Sequence, residues 1–336
     1  MKQTDGIISA PPLDPLGDEG EEPGQESDVR LLQVTPDLHG QRLDKALAQG
    51  VPEFSRSYLQ QLLEAGLVLL NGRSDAKPAH KVRVGDQISL ELKPTPQSQA
   101  FKPEAVPFAI AFEDAHILVV NKPAGLVVHP APGNWSGTLL NGLLAHDPCF
   151  LQVPRAGIVH RLDKDTSGLM VVAKSREVMD ALVKAIAARE VSRQYLALAH
   201  GAWRGPAQRS VDAPIGRDPR NRLRMAVVDL TSQAGKTART DIALLASDGE
   251  YCHVRCTLHT GRTHQIRVHM AHLGHPLLAD TVYGGTPRLG LVRQALHATR
   301  LAFAHPVSGQ ACAWEAPLPE DMRAALGQFG PALQSA

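Results

Sequence analysis

The chain has 336 residues, enough for one to three domains, and its 43% apolar content can build a core; with only 4% aromatics, Leu, Val and Ala must fill it. No apolar run approaches the ~20 residues of a membrane span, and the start of the chain lacks the basic stretch and apolar run of a secretory signal, so a cytoplasmic protein without membrane attachment is expected. The net charge of +1 is uneven: residues 1–35 hold eight acids against Lys2 and Arg30, a net of −6, which leaves +7 on residues 36–336.

A cationic body suits a polyanionic partner, because each neutralised phosphate releases counterions. Cys149, Cys252, Cys256 and Cys312 form no CxxC pair and read as free thiols. Residues 1–35, rich in Pro, Gly, Asp and Glu, bury too little apolar surface to offset ordering entropy and are expected to be disordered. Such a leader is either plain solvated chain or an acidic screen for the basic body.

Residues 40–93 read as a compact unit. A short helix starts in Gly40–Leu47. Ser55 is placed to cap a second, in which Tyr58, Leu59, Leu62 and Leu63 recur at helical spacing before Gly66 stops the run. Val68–Leu70 is a strand leading into an Asn71-Gly72 turn, and Lys81–Leu92 reads as a strand pair around Gly85-Asp86. Residues 94–106, with Pro94, Pro96 and Pro103, are a linker. A larger body is expected over 107–325 and a short tail over 326–336.

The body opens with a buried strand at Ile117–Val120, followed by NKPAGLVVHP (121–130), where Pro123 and Gly125 turn the chain. Lys122 is either structural or a phosphate contact. Thr138–Ala145 is a short helix. Next comes GIVHRLDKDTSGLMVVAK (157–174), which crowds His160, Arg161, Asp163, Lys164 and Asp165 against an apolar strand, Leu169–Ala173. Charges set against a core strand are costly unless paired or used. A turn needs Gly, Asn or Pro, not two cations and a carboxylate. Ser175 caps a helix whose core stripe is Val178, Met179, Leu182, Val183 and Ile186.

Arg193–Leu198 is a strand that carries Tyr195. Residues 200–240 are loop-rich and basic, either an RNA-facing insertion or a surface hairpin. Cys252–Leu258 alternates as a strand, and Gln265–Leu273 is a helix ended by Gly274. Five histidines fall between His259 and His275, but His264 and His269 are off the i, i+4 spacing of a zinc helix and no Glu follows either, so no metal is expected.

HRLDKDTSGLMVVAK resembles the signature of the RluA-type pseudouridine synthases, which isomerise uridine within RNA. NKPAGLVVHP, the stretch from Gly261 to Pro276, and WEAPLPEDM (314–322) extend the resemblance, which covers roughly residues 40–325. Residues 40–93 resemble the S4 RNA-binding domain, with Arg42, Lys45, Arg56 and Arg73 as the basic residues that would meet RNA. Two positions depart from the family's pattern: His259 stands where Glu is common, and Ala279 where Gly is common.

The resemblance implies an α+β protein: a small S4 domain and a catalytic domain with a mixed, largely antiparallel sheet and flanking helices. It implies Asp163 as the essential carboxylate and Arg267 as its charge partner. Tyr195 would stack on the uracil and move the C5 proton, and Arg161 would fill the space that a flipped base leaves. Ile266, Arg262 and His160 would complete the substrate pocket. The isomerisation needs no redox or phosphoryl step, so no cofactor is expected. The partner is RNA, above all large-subunit ribosomal RNA, free or in an assembling subunit, and the enzyme is expected to be a monomer. The competing class is a non-enzymatic RNA-binding protein. A metal-dependent hydrolase built on the histidines is a second rival.

Overall fold

The computed structural model describes residues 28–51, 56–74, 77–92, 100–131, 133–221 and 224–328. The chain divides into two compact units, Met1–Thr95 and Pro96–Ala336.

In the first unit β1 (Asp28–Gln33), α1 (Leu43–Gly50), α2 (Arg56–Glu64), β2 (Val68–Leu70) and β3 (Gln87–Leu92) follow in order. The strands make an antiparallel sheet ordered β1-β3-β2. Alternation along β3 buries Ile88, Leu90 and Leu92, against Leu43 and Leu47 of α1 and Leu59, Leu62 and Leu63 of α2. At the turn after β2, Asn71 and Gly72 both take positive φ, 51° and 78°.

Two expectations change here. Asp28–Gln33, assigned to the disordered leader, is a strand with a six-residue ladder to β3. Its apolar pattern was hidden because Val29 and Leu31 stay exposed; backbone pairing rather than burial holds it. No hairpin turns at Gly85-Asp86: Lys81 makes only an isolated bridge to Arg42, and β3 pairs instead with β1 and β2. The Asp86 carboxylate accepts from Arg83 N and Asn71 Nδ2, which fixes the entry into β3. The cap expected at Ser55 lies outside the described residues.

The second unit begins with β4 (Ala109–Glu113), β5 (Ile117–Lys122), α3 (Leu139–His146), β6 (Ser167–Ala173), α4 (Arg176–Ala187) and β7 (Ser192–His200). It continues with β8 (Gln208–Asp212), β9 (Ile215–Arg217), β10 (Met225–Val227), β11 (Gly235–Lys236), β12 (Arg239–Ser247) and β13 (Tyr251–Leu258). It closes with α5 (Gln265–His272), β14 (Leu296–Ala304), β15 (Ala311–Glu315) and α6 (Glu320–Gly327). The main sheet runs β4-β5-β6-β14-β7-β13-β12-β8, with β15 paired to β14. Among the described residues only β6 and β14 pair in parallel, so the sheet is mixed and largely antiparallel.

Helices cover both faces. Leu118, Val120, Met170 and Val172 point to α3 and to Ile266 and Met270 of α5. Their alternates Ile117, Val119, Leu169 and Val171 point to Val178 and Leu182 of α4. Two buried faces explain why β5 and β6 read as unbroken apolar runs. Thr138 caps α3 by accepting from Asn141 N, and Ser175 caps α4 by accepting from Val178 N. Val183, expected in the core stripe of α4, is 44% exposed.

Residues 100–106, expected in the linker, are tied to α3: Asn141 Nδ2 donates to Lys102 O at 2.8 Å, and Glu104 N donates to Asn141 O at 3.1 Å. The basic stretch 200–240 is more ordered than a surface hairpin. It supplies β8 to the main sheet and folds β9, β10 and β11 into a small sheet of its own.

Candidate active site

The loop before β6 is pinned from several sides. Lys122 Nζ donates to Lys164 O at 2.9 Å and also to Pro123 O and Leu126 O, which settles Lys122 as structural. Arg293 Nη1 donates to Asp165 O at 2.8 Å, and Gly125 N donates to Lys164 O at 2.9 Å. Below the loop, Gly168 has φ 114° and lies so close to β14 that a Cβ would overlap the backbone of Ala298. Only glycine permits that approach.

Asp163 leaves this loop toward the first turn of α5. Arg267 Nη1 donates to Asp163 Oδ2 at 3.0 Å, while Arg267 Nε and Nη2 hold the two oxygens of Asp280 at 2.7 and 2.8 Å. Burial works against the guanidinium charge, but the Asp280 hydrogen bonds and the two carboxylate charges outweigh it and push Arg267 further up. The Arg267 carbon also lies 5.0 Å from the centre of the Tyr283 ring.

His264 faces the other oxygen, with Nε2 3.9 Å from Asp163 Oδ1. The Tyr283 hydroxyl accepts from Met225 N and lies 2.8 Å from His264 Nδ1. Burial lowers the His264 pKa more than the Asp163 charge raises it, so the ring is neutral at neutral pH.

Asp163, Tyr195, Arg267, Arg161, Ile266, Arg262 and His160 all line one cleft of about 650 Å³. That size suits a small organic group. Tyr195 is 5% exposed, and its phenol is pushed up to about 12 by burial against the opposing charge of Arg193. Arg161 is exposed, Ile266 is buried, and Arg262 Nε donates to Thr237 O at 3.0 Å. His160 Nε2 accepts from Val171 N at 3.1 Å.

The first unit carries the other predicted set. Arg42 pairs with Asp44 at 3.0 Å while 54% of its side chain stays exposed. Lys45 and Arg73 are exposed; the Arg56 side chain lies outside the described residues.

Four residues of this neighbourhood escaped sequence reasoning in these roles: Asp280, Tyr283, Arg193 and His264, the last considered only as a metal ligand. His264 sits at φ 56° ahead of α5, a conformation that no spacing rule announces. The histidines are otherwise spread apart. His269 bonds Thr240 and Ala213 O, His275 bonds His200 O, and His259 pairs with Asp241. Among the described residues no group of three or more His, Cys, Asp or Glu is placed to hold a metal.

The pattern of the RNA pseudouridylate synthases matches residues 116–272, and that of the S4 domain matches residues 41–88. A ribosomal large subunit pseudouridine synthase D of Neisseria meningitidis serogroup B is 49% identical over 311 residues, 88% of this chain and 81% of the relative. This chain belongs to the RNA pseudouridylate synthase family. The enzyme of the same name from Escherichia coli O6:H1 is 46% identical over 302 residues, 86% of this chain and 90% of that one. Among solved structures, human RNA pseudouridylate synthase domain containing 1 is 26% identical, with a TM-score of 0.50 over 64% of this chain and 85% of its own. The chain is thus an RNA pseudouridine synthase with an S4 domain.

Proposed function

We propose that this pseudouridine synthase isomerises uridines of large-subunit ribosomal RNA in the cytoplasm, with Asp163 as the reacting carboxylate. The observation that carries the residue assignment is the ion pair of Asp163 and Arg267, set in a cleft lined by Tyr195 and Ile266. The names of the relatives support the choice of RNA.

In the reaction the N1–C1′ bond breaks, the uracil turns, and C5 bonds to C1′. C5 loses a proton and N1 gains one, so the balance closes without a co-reactant. The uridine must leave its stack to enter the cleft, at a cost of a few kcal/mol. Stacking on Tyr195 offsets part of this, since base–aromatic stacking contributes about 1–3 kcal/mol. Arg267 holds Asp163 Oδ2, so Oδ1 is the oxygen that reacts. Arg161, exposed at the cleft, takes the space that the base leaves in its RNA. Arg42, Lys45, Arg56 and Arg73 hold the RNA from the S4 domain.

The test is tritium release from large-subunit ribosomal RNA labelled at uridine C5. Wild type should release tritium, and Asp163→Asn should bind the RNA equally well and release none. An active Asp163→Asn enzyme would overturn the assignment of the carboxylate. Release from transfer RNA alone would overturn the choice of substrate.

A further inference from the structure

Arg193 lies on β7 and is 5% exposed. It shares a strand face with Tyr195 and lines the same cleft. Its Nε is buried without an acceptor, and no carboxylate pairs with its guanidinium, among the described residues. A buried cation without a counter-charge is a feature that folds discard unless a ligand repays it.

His160 presents a second such group at the same place. Its Nε2 accepts from Val171 N at 3.1 Å, which puts the ring proton on Nδ1. That Nδ1 is also buried without an acceptor among the described residues. Burial, reinforced by the Arg193 charge, pushes His160 down to about 3, so the ring stays neutral and Nδ1 remains a donor at working pH. Gly261 keeps the space in front of Arg193 open; a Cβ there would come within 2.9 Å of Nη1.

We propose that Arg193 and the Nδ1–H of His160 form a subsite for one phosphodiester of the RNA strand beside the reacting uridine. Two unsatisfied donors, one of them charged, call for an anionic acceptor. The charge of the cleft agrees: Arg155, Arg161, Arg189, Arg193, Arg262 and Arg267 line it against a single carboxylate, Asp163, which Arg267 already holds. Uracil is neutral, so the anions that the substrate brings are its phosphates. The planar guanidinium fork matches two phosphate oxygens. The subsite rests on the reading of this cleft as the uridine site.

The test uses the full-length enzyme and a short RNA whose reactive uridine has been located by tritium release and chemical mapping. Each phosphate flanking that uridine is replaced in turn by an uncharged methylphosphonate, and wild type is compared with Arg193→Gln. At one position the replacement should weaken wild-type binding roughly 10- to 100-fold, as expected for a lost charge-assisted hydrogen bond. The same replacement should leave Arg193→Gln almost unaffected. The variant should also lose about one phosphate's worth of salt dependence. Without RNA it should melt no lower than wild type, because it sheds an uncompensated charge.

If Arg193→Gln fails to fold, Arg193→Lys takes its place; it keeps the charge but loses the fork, and should show a reduced methylphosphonate penalty. Equal penalties in wild type and variant at every position overturn the subsite, whether Arg193 is then structural or touches the base. Failure of wild type to release tritium from any RNA would instead sink the uridine reading of the cleft, so the two failures are distinguishable.

Discussion

Asp280 takes two nitrogens of Arg267, at 2.7 and 2.8 Å, and leaves only Nη1 for Asp163. Both partners are almost fully buried, with side chains 7% and 1% exposed. The guanidinium is therefore oriented by Asp280 before it meets Asp163. Asp280→Asn leaves the buried cation with one carboxylate instead of two, and a broken buried pair typically costs about 3–5 kcal/mol. Urea denaturation should show that loss. Turnover should fall at least tenfold with KM for RNA little changed, because Arg267 is then free to swing around Asp163. Wild-type turnover in a destabilised Asp280→Asn enzyme would make Asp280 a fold residue only.

Lys122 is fully buried and gives its three ammonium hydrogens to Pro123 O, Leu126 O and Lys164 O. Burial, which outweighs the pull of the Asp165 and Asp163 charges, pushes the amine down to about 7. The three acceptors argue for the charged form, since a neutral amine has only two hydrogens to give. Lys122→Met orphans the carbonyls of Pro123 and Leu126, leaves Lys164 O only its bond from Gly125 N, and frees the loop that carries Asp163. A loss of about 2–4 kcal/mol is expected, from unsatisfied groups at 1–3 kcal/mol each, partly offset by removal of a buried charge. Denaturant titration checks it, and unchanged stability would mean that water replaces the amine without cost.

What the sequence made legible was contiguous. The charged run at 160–165 stood against an apolar strand, and β6 is indeed buried at every position. Gly274, expected to end α5, has φ 83°. The misses are non-local. Asp280 lies thirteen residues beyond Arg267, and no periodicity joins them. Arg193 looks like any strand arginine until its missing counter-charge is seen. Strand β1 was lost in the composition of the leader. Ala279 sits at φ 58°, which gives a physical reason for the glycine common at that position in the family.

Gly168 tests the contact that brings the Asp163 loop beside β7 and β14. At φ 114°, with the carbonyl and amide of Ala298 where a Cβ would stand, Gly168→Ala meets rigid backbone rather than a movable side chain. The parallel pairing of β6 and β14 covers only Ser167 and Gly168, so there is no longer ladder to absorb a shift. Destabilisation of at least about 3 kcal/mol is expected, beyond ordinary overpacking because the strain is in the main chain. Soluble yield and denaturant midpoint report it. Near-wild-type stability would show that the two strands can separate without cost.

Acid sensitivity should come from buried neutral histidines. Burial pushes His253 and His129 down to about 4 and His160 to about 3. Each is neutral in the fold, while the unfolded chain takes up its proton near 6.5. The unfolded state therefore binds more protons between pH 6.5 and 4, and stability is lost as pH falls through that window. Each such histidine contributes at most about 1.4 kcal/mol per pH unit. His253 is the cleanest probe, because it lies on β13 away from the cleft lining and its Nε2 has no partner among the described residues. His253→Leu should flatten the fall in urea midpoint between pH 6 and 5 by one proton's worth and leave isomerisation at pH 7.5 unchanged. A variant with the wild-type acid slope would mean that His253 is protonated in the folded enzyme as readily as in the unfolded chain.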